Sequence, residues 1–209
     1  MRWAWRVPAS PWVPDRLWYG GGRVSRLFGY TRHRSLMAGV GDVHATGETE
    51  YVSGCCALVS AAAWRSVGEF REDFFTYYED VDWCLRARDA GWRCRFVGEV
   101  LCWHAVSVSA GRRGSLRLSA DMAYYLGRNP LRSALETHDP ILRATRVLGI
   151  LTVWNAYNWF RLLQARSSAT VVAYLHGLVD AIGGRLGPRA RSHTVPPAPA
   201  RIPSHRSGS

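Results

Sequence analysis

The chain has 209 residues, a hydrophobic fraction of 47% and ten tryptophans, which excludes an intrinsically disordered protein and allows one ordinary domain, alone or with appendages. Its net charge of +11 favours anionic partners such as phosphates, acidic lipid headgroups or nucleic acid. There is no helix-turn-helix, zinc-finger spacing or RNP-like aromatic motif, and so nucleic acid is not an expected partner.

All the positive charge is arginine, and much of it lies toward the two ends. Five cysteines (Cys55, Cys56, Cys84, Cys94 and Cys102) show no C-x-x-C spacing and read as small core residues in a reducing compartment. The N-terminus lacks a continuous apolar run, so no signal peptide is expected and a cytoplasmic protein is.

Residues 1–50 are rich in Gly, Pro and Arg and read as an irregular, loop-rich segment. Order begins at residues 51–59, an apolar run expected to be a buried strand. Ser60 then caps a short helix that ends at Gly68. An aromatic loop carrying Phe70, Phe74, Phe75, Tyr77 and Tyr78 leads into a helix from Glu79 to Ala90, stopped by Gly91. Strand-like runs follow at residues 93–97 and 100–104, so residues 51–114 form an α/β portion.

Arg112 and Arg113 lie in a basic loop that suits either phosphate oxygens or a solvated turn. Residues 115–187 read as a helical extension, with Asn129-Pro130 marking a kink or break. Asp139 and Pro140 give a capped helix start. The helix they open carries no formal charge from Val147 through Phe160. That is short of the roughly 20 apolar residues a bilayer span needs. With Trp154, Tyr157 and Trp159 and flanking arginines, it suits an interfacial helix or one packed on the domain. Ser167 or Ser168 caps a last helix ending at Gly183-Gly184, and residues 188–209 read as a disordered tail.

The chemistry centres on Glu79 and Asp80, adjacent carboxylates at a helix start. There, unpaired N–H groups and the helix dipole favour the ionised form. Two roles fit that position. Asp80 is an N-cap, with Asp82 adding charge to the first turn, or it is a general base acting near neutral pH.

The stretch Val52-Ser53-Gly54-Cys55, Val67-Gly68-Glu69-Phe70, Phe74-Phe75-Thr76-Tyr77-Tyr78-Glu79-Asp80-Val81-Asp82-Trp83-Cys84-Leu85-Arg86, Ala90-Gly91-Trp92 and His104 resembles inverting family 2 glycosyltransferases of GT-A type. More narrowly it resembles the rhamnosyltransferase-like branch that builds bacterial surface polysaccharides. The resemblance implies that Asp80 deprotonates an acceptor hydroxyl, supported by Glu79, while a nucleoside diphosphate leaves the sugar from the opposite face. It implies a nucleotide-diphospho-sugar donor, a saccharide or lipid-linked acceptor, and a divalent metal (Mg or Mn) held in part by His104. Asp82, Trp83, Arg86, Arg112 and Arg113 would lie on the acceptor or diphosphate side.

The resemblance covers the acceptor-side half. The βαβ nucleotide-binding half and its Asp-x-Asp metal ligands are not found before residue 50, and the one Asp-x-Asp, Asp80-Val81-Asp82, belongs to the acceptor motif. The expectation is therefore an α/β, partial GT-A fold followed by helices, truncated or completed by a separate chain, and peripheral at the inner face of the cell membrane. The alternative is a non-catalytic basic membrane-surface or scaffold protein of the same descent.

Overall fold

The computed structural model of the chain describes residues 7–8, 17–36, 38–39, 46–98 and 118–189. These residues form a mixed α/β structure with short strands and a helical second part. Arg112, Arg113, His104, Cys102 and the expected strand at residues 100–104 lie outside the described residues.

Three antiparallel pairs replace the irregular segment expected before residue 50. β1 (Val7–Pro8) pairs with β2 (Leu17–Tyr19), and β3 (Gly22–Val24) pairs with β4 (Thr31–His33). β5 (Gly47–Thr49) pairs with β6 (Cys94–Phe96), which joins the early segment to the expected strand at 93–97. β2, β3 and β6 bury alternate residues, as half-buried strands do. At three residues each, that alternation is too short to stand out in a Gly- and Arg-rich sequence.

Residues 51–59 correct the expectation of a buried strand. Tyr51 alone bridges to Gly22, the chain turns at Gly54 and Cys55, and Leu58 is 67% exposed. The run instead lines one wall of a cleft of about 720 Å³ that also touches β6 and Trp83. An apolar run becomes a strand only where a neighbour presents backbone partners, and among the described residues only Tyr51 has one. The cysteines divide accordingly: Cys84 and Cys94 are buried, whereas Cys55 is exposed and Cys56 half-buried.

Helices α1 (Ala61–Val67) and α2 (Glu79–Asp89) form as the sequence predicts. The Ser60 side chain accepts from the Ala63 amide at 3.1 Å, and Gly68, at φ 84°, closes α1 with its amide on the Trp64 carbonyl. α2 carries three carboxylates in its first turn and Arg86 and Arg88 in its last, matching the helix dipole at both ends. Trp83 is buried and stacks on Trp64 at 6.0 Å, with its indole N–H on the Gly68 carbonyl at 2.7 Å.

The second part is built on α3 (Ala120–Leu135), capped by Ser119, which runs through Pro130 without a break. A proline inside a helix leaves the carbonyl four residues earlier without its donor. Here that is Leu126, and the Trp154 indole N–H donates to it at 3.1 Å. Trp154 reaches it from a π-helical turn (Ile150–Trp154) between α4 (Pro140–Gly149) and α5 (Asn155–Ala165). The wider turn sets the indole inward, so the expected kink is absorbed by the neighbouring helix.

α6 (Ser168–Ile182) crosses α3 at two glycines. A Cβ on Gly177 would come within 2.1 Å of the Tyr124 carbonyl, and one on Gly127 within 2.7 Å of the Tyr174 carbonyl. Tyr124 donates to Asp180 at 2.8 Å across this crossing, and Tyr174 donates to Asn155 at 2.6 Å, tying α6 to α5.

Trp154→Phe keeps an aromatic ring but strands the Leu126 carbonyl, and should cost about 1–3 kcal/mol, the usual penalty for an orphaned buried acceptor. Denaturant melts check this, and an unchanged midpoint would mean that the carbonyl finds another donor.

Candidate active site around Glu79 and Asp80

The approach to Glu79 is unusual backbone. Phe75, Tyr77 and Tyr78 have φ of 64°, 59° and 79°, a region that non-glycine residues avoid. The Thr76 amide donates to the Phe74 carbonyl at 2.8 Å, closing a γ-turn at Phe75. Such conformations cost of order 1–3 kcal/mol each and persist only where surrounding contacts over-determine them.

Those contacts come from α3. Asn129, fully buried, donates its side-chain amide to the carbonyls of Phe74, Thr76 and Tyr77 at 3.1, 2.9 and 2.6 Å. Arg128, also fully buried, donates to the Phe74 carbonyl at 2.9 Å, the Asp73 carbonyl at 3.2 Å and the Gly187 carbonyl at 2.6 Å. Its Nε binds Asn129 Oδ1 at 2.8 Å, and its guanidinium lies over the rings of Tyr124 and Tyr125. Below this, Arg71 binds both Asp73 and Glu136, and Arg132 binds Glu136 at 2.7 Å.

The N-cap reading of Asp80 is corrected by this geometry. The cap position is Tyr78, left-handed and without a side-chain capping bond. Asp80 lies within the first turn, where Oδ2 accepts from the Gly54 amide at 2.8 Å and Oδ1 from the Val81 amide at 2.7 Å. Gly54 is needed close by, since its Cβ would sit 3.3 Å from that of Asp80. Burial pushes the Asp80 carboxyl above its ordinary value; the Gly54 and Val81 amides and the charge of His33 pull the other way. The helix start does favour the ionised form, as position alone predicts, but burial is the larger effect.

Glu79 is half-buried, and its Oε2 has no hydrogen-bond partner among the described residues. Burial and, after it, the Asp80 charge raise its pKa. Asp82, Trp83 and Arg86, expected toward an acceptor or diphosphate, serve packing of α2 on α1 here. Asp82 is buried against Arg86 at 3.0 Å, and Arg86 donates to the carbonyls of Val67 and Glu69, both at 2.8 Å.

Sequence reading missed His33, which is 47 positions from Asp80 and carries no motif. β4 places it among the rings of Trp18, Tyr19 and Tyr51, with Nδ1–H donating to the Trp18 carbonyl at 3.2 Å. Burial lowers its pKa, while the nearby Asp80 charge acts in the opposite sense. Arg128 and Asn129 carry no such signal either; the Asn-Pro dipeptide reads only as a helix breaker.

A divalent metal needs several carboxylate or imidazole ligands together. Among the described residues no three His, Cys, Asp or Glu side chains are placed to hold one, so these residues do not by themselves build the metal site that the resemblance implies.

Comparison with known proteins identifies the family of the chain. The profile of the family described as Glycosyl transferase family group 2 matches residues 18–183, and the chain belongs to that family. It is similar to N-acetylglucosaminyl-diphospho-decaprenol L-rhamnosyltransferase of Mycobacterium tuberculosis, 39% identical over 70 residues, which is 34% of this chain and 23% of that protein. It is also similar to a low-salt glycan biosynthesis hexosyltransferase of Haloferax volcanii, 33% identical over 48 residues, 23% of this chain and 16% of the relative. The matched stretches thus span less than a quarter of these curated relatives. No solved structure matches.

The raised Glu79 pKa has a definite sign in stability. A carboxyl whose folded pKa lies above its unfolded value destabilises the fold once ionised; the penalty is absent below the unfolded pKa and grows as pH rises through the folded one. Glu79→Gln should therefore raise the melting temperature at neutral pH, with the gain vanishing below about pH 4, near the ordinary Glu value. Melts at the two pH values check this, and an equal gain at both would place its origin elsewhere.

Proposed function

We propose that the chain is the acceptor-side portion of an inverting GT-A-type glycosyltransferase in which Asp80 is the general base. The observation that carries this is the desolvated Asp80 carboxylate at the start of α2. Each oxygen accepts one backbone N–H and keeps a lone pair for an incoming hydroxyl. As the acceptor oxygen bonds to the anomeric carbon, its proton passes to Asp80 and the nucleoside diphosphate departs from the opposite face. Glu79, with its unpartnered oxygen, offers a second acceptor beside the base. The donor sugar is a hexose such as rhamnose and the acceptor a saccharide or lipid-linked saccharide, as the relatives' names suggest, in surface-polysaccharide or cell-wall synthesis.

The apolar helices fit a lipid-linked acceptor. Among the described residues no helix is long and apolar enough to cross a membrane. Yet Leu151, Tyr157, Phe160 and Leu163 are exposed by 46%, 53%, 61% and 71%. There is no Asp or Glu between Asp139 and Asp180, whereas Arg143, Arg146, Arg161 and Arg166 flank this stretch. An apolar, aromatic face with arginines and no opposing acid suits the headgroup region of an anionic bilayer. On this reading the protein lies peripherally at the inner membrane face.

Asp80→Asn should cut sugar transfer from a nucleotide-diphospho-sugar to a lipid-linked acceptor by about 100-fold or more, the contribution of a general base. Wild-type transfer that survives Asp80→Asn would remove the base assignment. Phe160→Glu with Leu163→Glu should abolish co-sedimentation with phosphatidylglycerol-containing vesicles while leaving the circular dichroism spectrum unchanged. Retained vesicle binding would remove the membrane face.

A further inference from the structure

Glu79 and Asp80 sit on the α/β side of a division that the sequence suggests, where residues 51–114 carry the chemistry and the later helices follow it. Besides the Arg71–Glu136 ion pair, the hydrogen bonds described across that division gather at one cluster. Every carbonyl from Asp73 to Tyr77 for which a partner is described at this seam, those of Asp73, Phe74, Thr76 and Tyr77, receives a donor from Arg128 or Asn129. The Asp73 carbonyl also receives the Gly187 amide at 2.6 Å, and the Gly187 carbonyl in turn accepts from Arg128. The chain beyond α6 thus closes the same cluster.

We infer that Arg128 and Asn129 are positioning residues for the Glu79–Asp80 carboxylates, holding residues 74–78 in their left-handed path so that α2 begins with both carboxylates at the seam. This rests on the catalytic reading of Asp80, but the physical claim concerns where the carboxylates are held.

Three observations support positioning over simple packing. The loop cannot hold itself: it contains a γ-turn at Phe75 and left-handed Tyr77 and Tyr78 directly before Glu79, and no glycine to ease them. The donors are matched to that path, since one planar amide meets the carbonyls of Phe74, Thr76 and Tyr77, and its own oxygen is fixed by Arg128 Nε. Finally, both donors are fully buried and, among the described residues, have no carboxylate partner; the Arg128 charge is met by carbonyls and by the faces of Tyr124 and Tyr125. A guanidinium buried for stability alone is more simply replaced by apolar side chains.

The test reads the carboxylates without turnover. Asn129→Ala changes no charge, and the groups acting on Asp80 (His33, Tyr19, Tyr51, Tyr78 and Cys84) and on Glu79 (Asp80 and Tyr77) all lie off α3. A change in carboxylate titration in that variant therefore reports a change of place. In carbon-13 carboxyl titrations of the full chain, Asn129→Ala should move the Glu79 and Asp80 midpoints down toward ordinary carboxylate values as water reaches them. Amide exchange at Thr76 and Asp82 should rise at least about tenfold while α1 amides hold.

Arg128→Lys keeps the charge but loses the fork, and should shift both midpoints in the same direction by less. It serves if Asn129→Ala does not fold. Adding Phe75→Gly, which tolerates the left-handed turn, should restore part of the Asn129→Ala loss. If the variants lower the melting temperature but leave both titrations and the local exchange at wild-type values, the two residues are structural only and the inference is overturned. An active Asp80→Asn protein with shifted midpoints in Asn129→Ala would instead overturn the catalytic reading and leave the positioning claim standing.

Discussion

The structure depends on carbonyl groups that their own segment cannot satisfy. Residues 74–78 pass through positive φ at Phe75, Tyr77 and Tyr78, and the carbonyls of Thr76 and Tyr77 meet no backbone donor among the described residues. Buried, those carbonyls would each carry the penalty of an unmade hydrogen bond. Arg128 and Asn129 remove that penalty from a helix more than fifty residues later, and in doing so join the α/β portion to the helices. The Arg71, Asp73, Glu136 and Arg132 ion network reinforces the same seam from the loop's other end. Tyr78 adds a bond from its hydroxyl to the Gly29 carbonyl at 3.0 Å, so the early strands are tied in as well.

The helical part follows the same rule at its own centre. Pro130 removes one donor from α3, and the neighbouring rod supplies a replacement from Trp154 through a π-helical turn. Asn158, buried one turn on, donates to the Trp154 carbonyl at 2.9 Å. The close crossing of α3 and α6 at Gly127 and Gly177 lets backbone meet backbone, which keeps Arg128 and Asn129 at a fixed height over the loop. A site whose two carboxylates both have raised pKa values gains from such rigidity, because water entering beside them would lower their basicity.

Membership of the glycosyltransferase family gives these contacts a purpose, and the composition of the helices gives them a setting. Family membership rests on a match that takes in both parts of the chain, residues 18–183, so the helices belong to the family's pattern as much as the carboxylate motif does. Their outward faces are apolar and aromatic with arginines alongside, while their inward faces hold the loop before Glu79. α3 thus meets the loop before the carboxylates, while α5 leaves Tyr157, Phe160 and Leu163 exposed.

Local signals in the sequence determined much of this protein. The caps at Ser60 and Asp139 and the stops at Gly68 and Gly183 act within one turn of the chain, so α1, α4 and the end of α6 are legible there. The carboxylate pair at the start of α2 was legible for the same reason, together with the aromatic run before it. Tertiary structure alone decided what those carboxylates meet. Asp80 binds Gly54 and senses His33 because separate segments converge on it, and no spacing in the chain encodes that. Residues 51–59 stayed out of a sheet, and residues 17–49 entered short ones, because strand pairing depends on which backbone lies alongside. Asn129-Pro130 reads as a break, yet the helix continues, since Trp154 supplies the missing donor. Hydrogen bonding within a turn is written in neighbouring residues, whereas hydrogen bonding across a seam exists only once both sides have folded.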